Sequence, residues 1–520
     1  MTVAMAMTAS LFVACGDDGE DEKTPPPAPT ITLKDGDIKA THEIESGMSV
    51  VVNVAAPGGV ADFTIRIDSP FLTPEELSAL GLAAEMNLVT PATSQMAAGL
   101  KGLGFPVGDD VKGKTALTFN ISSLIPLIAQ LYDQTSNHDF TLTVTDAKAQ
   151  RATETLKFHL SGPQTITYNN DADLWANTAT LTVKNQPEGA KVQYRVKDAE
   201  AWTDAVSADG TVFNIAPVYE ASKNEAELDI YTIKAGTGIF AATTYEYRML
   251  DGEKVLDSGE FTTAAGDKIP NGDMSGWSKR IWIDGSNNEF PITYPNPEGM
   301  KVWDSGNNAF LEQNNGEETL FTPLCRQDET EPGTARLQAR MVLGFVFAPG
   351  NMFTGDFDYS GFSGTVNFGK PYAWTARPRA LKVRYKAQIG KIDKVGSYDP
   401  DGASYQDKQD CARIFVAVVN WKAQHGVTSG MTAPTGMWDP ATAKSLDEGA
   451  ILGYGDLVIT QTATGWIEAT LPFNWYAKDA ANPASAPFSL VISCATSVRG
   501  DYLTGCSTNE MQVDDFEWVY

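Results

Sequence analysis

Apolar and polar residues alternate over short stretches along most of this chain. Phe63-Thr64-Ile65-Arg66-Ile67, Phe140-Thr141-Leu142-Thr143-Val144 and Leu156-Lys157-Phe158-His159-Leu160 each place every second side chain on one apolar face, the two-residue period of a half-buried antiparallel strand. Short strands recur at 179–183, 192–196, 228–233 and 245–249, punctuated by Pro187-Glu188-Gly189, Ala208-Asp209-Gly210 and Asp251-Gly252-Glu253, the turn spacing of a β-sandwich. One stretch departs from this period. Residues 74–100 have helical character, opened by Thr73 as a cap ahead of Pro74 and Glu75-Glu76, an arrangement that satisfies the free N–H groups of a first helical turn.

The pattern predicts an all-β protein. At 520 residues the chain has room for about three domains, each with its own core. Residues 30–162 read as an immunoglobulin-like β-sandwich carrying a helical insertion, 163–266 as a sandwich that looks like a fibronectin type III module, and 267–520 as a larger β domain. Ahead of them, residues 16–29 form an acidic and Pro-rich linker ending in Thr24-Pro25-Pro26-Pro27-Ala28-Pro29, an extended, semi-rigid spacer.

Charge and the N-terminus narrow the partners. With 39 Lys plus Arg against 66 Asp plus Glu, the net charge of -27 repels nucleic acid and anionic headgroups. The run Leu11-Phe12-Val13-Ala14-Cys15-Gly16, followed by Asp17, Asp18, Glu20, Asp21 and Glu22, resembles a bacterial lipoprotein signal, residues 1–15, with Cys15 as the lipidated residue. The acidic run resembles a surface-export tag of outer-membrane lipoproteins, and it also reads as a solvated linker. The resemblance implies an outer-membrane, lipid-anchored, surface-exposed protein. No Lys or Arg precedes Cys15, so a translation start upstream is expected.

The C-terminal segment opens with Asn271-Gly272-Asp273-Met274-Ser275-Gly276-Trp277 and closes with Val513-Asp514-Asp515-Phe516-Glu517-Trp518. Such ends resemble those of carbohydrate-binding jelly rolls, in which first and last strands pair. With Thr365-Val366-Asn367-Phe368-Gly369-Lys370-Pro371, the 377–386 stretch, Gly453-Tyr454-Gly455 and Gly500-Asp501-Tyr502-Leu503-Thr504-Gly505, the segment resembles the putative carbohydrate metabolism domain family of gut-bacterial surface lipoproteins. That resemblance implies a jelly roll concerned with glycans.

Composition adds candidate residues. Nine of the 11 Trp lie in this segment, and indole faces stack on the apolar C–H faces of sugars. Trp303 and Trp438 sit in turn-rich text, Trp282, Trp374 and Trp421 are intermediate, and Trp277, Trp466 and Trp518 read as core; the first five are the carbohydrate-binding candidates. Glycoside hydrolysis needs two opposed carboxyl groups, and Asp356 with Asp358, or Asp515 with Glu517, stand at alternate positions of one strand. In so acidic a chain, a solvated face or a metal ligand is the plainer reading of such pairs. There is no GxSxG or HExxH motif, and His425 is the segment's only histidine, which leaves Ser/His and Cys/His hydrolases without support. His42, His138 and His159 stand singly and read as structural.

Jelly rolls of this kind imply a structural Ca²⁺ near the first and last strands, for which Asn271, Asp273, Asp514 and Asp515 are the oxygen ligands to test. Cys325, Cys411, Cys494 and Cys506 all fall in this segment, and an exported chain meets an oxidising compartment. Cys494 and Cys506 bracket a short loop and are expected to pair, leaving Cys325 with Cys411. Arg499-Gly500-Asp501 lies inside that loop and spells an integrin-ligand tripeptide that recurs freely by chance.

The function expected is a glycan-binding surface lipoprotein that holds poly- or oligosaccharide for a glycan-uptake complex. The alternatives are a glycoside hydrolase, or other glycan-active enzyme, and a structural adhesin.

Overall fold

The computed structural model describes residues 26–45, 47–129, 133–283, 286–307, 323–342 and 344–520; the lipidation candidate Cys15 lies outside them. Contacts divide the chain into two compact units, Met1–Gln164 and Thr165–Tyr520. Both are built from β-sheets, as the two-residue period requires.

In the first unit, Phe63, Ile65, Phe140, Leu142, Leu156 and Phe158 are all fully buried, and the register sets Phe63 opposite Val144 and Ile65 opposite Leu142. One sheet of five strands, ordered Thr41–Glu43, Arg151–Leu160, Ser136–Asp146, Val60–Asp68 and Glu85–Asn87, faces a second of three, Thr30–Leu33, Val51–Ala55 and Ala116–Asn120. The helical insertion is two helices, Pro74–Ala79 and Ser94–Gly102, with the Glu85–Asn87 strand between them. Thr73 forms a reciprocal cap: its hydroxyl accepts from Glu76 N–H and the Glu76 carboxylate accepts from Thr73 N–H, so two otherwise orphaned donors are satisfied.

The second unit begins with a pair of four-stranded sheets around Leu181, Tyr194, Ile215, Tyr245 and Met249. Its Tyr219–Lys223 and Asp229–Ile233 hairpin leaves that sandwich and joins the sheet of the C-terminal domain, where Tyr231 pairs with Trp475. The C-terminal sandwich closes this eleven-stranded sheet on a five-stranded one, ordered Cys325–Gln327, Ala335–Gln338, Glu510–Val519, Ala380–Gln388 and Ala463–Pro472. Its core holds Trp303, Leu337, Met352, Leu381, Ile414, Ile492, Met511 and Val513.

The last strand differs from the jelly-roll expectation. Glu510–Val519 is central in its sheet, paired with Ala335–Gln338 and Ala380–Gln388, and the opening segment meets it through one backbone bond, Phe516 N–H to Gly272 O at 2.8 Å. A Cβ at position 272 would fall 2.4 Å from the Phe516 carbonyl, so glycine is the residue that allows the approach.

Candidate functional site

The Ser278–Ile283 strand pairs with Glu289–Tyr294, setting Arg280 opposite Ile292. Nearby, the two-residue strand Trp303–Asp304 pairs with Asn351–Ser360, setting Asp304 opposite Phe353. These elements bring one buried acid under one arginine. Asp304 is 2% exposed, and its two carboxylate oxygens accept the two terminal nitrogens of Arg280 at 3.1 Å each, a bidentate fork that fixes the guanidinium plane. Backbone N–H groups of Ser305 and Phe357 donate to the same carboxylate at 2.8 and 2.9 Å. Burial outweighs these partners and pushes the Asp304 carboxyl up to about 6, with Arg280 opposing. The guanidinium also lies 4.8 Å from the centre of the Tyr294 ring, and burial, helped by the Asp304 charge, raises that phenol.

Above this pair is a cleft of about 690 Å³ lined by Trp277, Lys279, Arg280, Tyr294, Glu298 and Asp356 among others. Asp356 stands on its wall, accepting from Lys370 Nζ at 2.8 and 2.9 Å and from Gln424 Nε2 at 2.8 Å. Trp277 is half-buried, its indole N–H tied to the Met274 carbonyl at 2.8 Å. A flat aromatic face beside fixed planar ions can pack a sugar's C–H face while the ions bond its hydroxyls.

Three of the five binding candidates lie in the core, while Trp277 and Trp518, read as core, pack against it with one part open. Trp303, Trp374 and Trp421 are 0%, 1% and 0% exposed, so none can stack on a ligand. Trp303 is enclosed because the turn residues after it are internal: Asn307 bonds the Cys325 backbone, and the Trp303 N–H groups are taken by Asn296 and Pro270. Trp438 is half-buried among Phe368, Phe415, Trp421 and His425. The backbone of Trp282 belongs to the Ser278–Ile283 strand; its side chain lies outside the described residues. Trp277, Trp466 and Trp518, read from sequence as core, keep partial exposure.

The carboxylate pairs are committed elsewhere. Asp358 accepts from Asn367 at 2.9 Å, and Asp515 faces Arg384 at 2.9 Å. A bulge at Asp515-Phe516, where Asp515 takes φ 52°, breaks the alternation that would have set Asp515 beside Glu517. Glu517 is exposed opposite Lys382.

The proposed calcium ligands do not converge. Asn271 clamps the Gly276 turn, accepting from Gly276 N–H at 2.8 Å and donating to the Gly276 and Pro295 carbonyls. Asp273 accepts from Ser275, and Asp514 pairs with Arg384. No group of three or more His, Cys, Asp or Glu poised to hold a metal occurs among the described residues.

Neither expected disulfide is formed, and all four cysteines are free thiols. Cys494 points from its strand into the core, whereas Cys506 belongs to a turn whose backbone N–H is held by Asp410 at 2.8 Å. In the Arg499-Gly500-Asp501 tripeptide, Arg499 is locked to Asp399 and Asp501 accepts from Ser429 at 3.0 Å, so the two charges are not displayed together.

Residues 279–519 match the family model described as the putative carbohydrate metabolism domain. The C-terminal region carries this domain. The Arg280–Asp304 fork and Asp356 fall within the matched residues, and Trp277 stands just before them. Among solved structures, the chain is similar to a putative glycoside hydrolase from Bacteroides vulgatus (17% identity over 46% of this chain and 95% of that one, TM-score 0.32) and to another from Bacteroides thetaiotaomicron (15%, 64% and 98%, TM-score 0.33). A third is the SGBP-B protein of the Bacteroides ovatus mixed-linkage glucan utilization locus, in complex with a mixed-linkage heptasaccharide (11%, 90% and 100%, TM-score 0.14). Superpositions this loose bear on neither substrate nor mechanism. No curated protein matches the chain.

Sequence reasoning found Asp356 and missed Arg280, Asp304 and Tyr294. The signal available was Lys279-Arg280, adjacent cations in a strand of a chain short of them.

Proposed function

We propose that this protein binds a poly- or oligosaccharide through the carbohydrate metabolism domain, at the cleft between Trp277, Arg280 and Asp356. In this reading it is a lipid-anchored protein of the outer-membrane surface that holds glycan for an uptake complex. The observation that carries the binding reading is the cleft itself: the partly exposed Trp277 indole just ahead of the family match and, within the match, a guanidinium plane held by a buried acid beside a carboxylate. Preorganised planar groups of this kind bond sugar hydroxyls without first paying the entropy of ordering.

A glycan array probed with the full chain, followed by analysis of released products, tests it. Retention without cleavage is expected, and Trp277→Ala should weaken it by roughly tenfold, the order of one lost aromatic contact. Released oligosaccharides would make the protein an enzyme. Absence of any retained glycan would leave a structural surface protein.

A further inference from the structure

A second concavity, chemically unlike the cleft, takes Phe357 and Tyr359 from the strand that gives the cleft Asp356. Its volume is about 340 Å³, within the range of small-molecule sites, and its wall is almost wholly apolar. Three separate turns supply its mouth: Phe345 is 65% exposed, Phe362 58% and Met431 52%. Large apolar side chains this open normally retreat from water, and three meeting at one opening mark a contact surface.

The Phe362 turn strengthens the point. Ser360 pairs with Ser363, so Gly361-Phe362 is a two-residue hairpin loop, and both residues have positive φ, 58° and 69°. Asn or Gly fits this left-handed geometry without cost, whereas a bulky aromatic residue is strained there. The hairpin keeps an exposed ring at the rim of the concavity in spite of that strain.

One acid breaks the apolar wall. Asp501 accepts a hydrogen bond from Ser429 Oγ at 3.0 Å, and among the described residues no Lys, Arg or His lines the pocket. The nearby Arg499 is spent on Asp399. Burial pushes the Asp501 carboxyl above its usual range, which favours the neutral acid until a cation sits beside it.

We infer that this pocket binds an arylalkyl amine, its ammonium paired with Asp501 and its ring packed among Phe345, Phe347 and Phe362. Charge complementarity selects the amine: among the described lining residues there is one acid and no cation, an ammonium would stabilise that acid's charged form, and aromatic faces attract an ammonium beside them. A net charge of -27 raises the local concentration of cations. Among the described residues the two sites share no lining residue, although Phe357 of one follows Asp356 of the other in the chain.

Titration of the full chain with tryptamine and with its neutral isostere tryptophol tests the assignment. Saturable one-to-one binding of tryptamine is expected, at least tenfold tighter than tryptophol. Asp501→Asn should erase that preference while leaving tryptophol affinity within about twofold, which also shows the variant folded. Phe345→Ser with Phe362→Ser should weaken both ligands. Equal binding of the two ligands, or a preference that survives Asp501→Asn, would overturn the inference, as would no saturable binding of tryptamine. A Trp277→Ala variant that loses glycan yet keeps tryptamine would separate the two sites.

Discussion

His138 is fully buried in the first unit, its ring held between Ser69 Oγ on Nδ1 and Ser136 Oγ on Nε2, each at 2.8 Å. Burial lowers its pKa below the ordinary value of 6.5. The unfolded chain therefore takes up the proton first, and the stability present above about pH 6.5 is lost as pH falls toward the lower native value. Asp304 works in the opposite sense. Its carboxyl rises from 3.8 to about 6, so its contribution is full below about pH 4 and is lost as pH climbs through 6. Melting curves from pH 7 to pH 5 should show the first unit weakening, with His138→Gln flattening that slope and Asp304→Asn flattening the opposing one in the second. Histidine as a structural residue was legible at position 138 because it stood alone in strand text. Trp303 was not, because turn-forming neighbours ordinarily mark exposure, whereas Asp304, Ser305 and Asn307 are buried hydrogen-bonding groups.

Local elements followed the sequence where one physical rule governed them. The Thr73 cap is one example, and Thr73→Ala should cost about 1 kcal/mol by chemical denaturation. Strands were equally legible: the 179–183 and 192–196 stretches appear as Ala179–Lys184 and Lys191–Val196, since alternation and burial say the same thing. Alternation failed at Asp515-Phe516, because a bulge inserts a residue that no period announces. The close approach at Gly272 was equally silent. Gly272→Ala should destabilise the second unit by more than the Thr73 variant does the first, since the methyl would meet the Phe516 backbone rather than a movable side chain.

The second unit is tied together across the sequence boundary predicted near residue 266. Arg377 is 1% exposed, its guanidinium 4.2 Å from the Trp475 ring centre and 5.3 Å from that of Trp175, and it donates to Tyr219 Oη and the Lys478 carbonyl at 2.8 Å each. Arg377→Met leaves those acceptors unpaired and should cost about 2–4 kcal/mol, lowering one transition for all of 165–520 while the first unit's melting stays put. Such a tie could not be read from the chain, because it joins residues more than a hundred positions apart through groups with no local pattern.

The free thiols give the protein a gauge of its own opening. Cys325 and Cys494 are wholly enclosed, and burial holds both thiols far from ionisation, so an alkylating reagent such as iodoacetamide meets them only when the sandwich parts. Their rate of modification would then clock how often the glycan-related domain comes undone, with no label added to the protein.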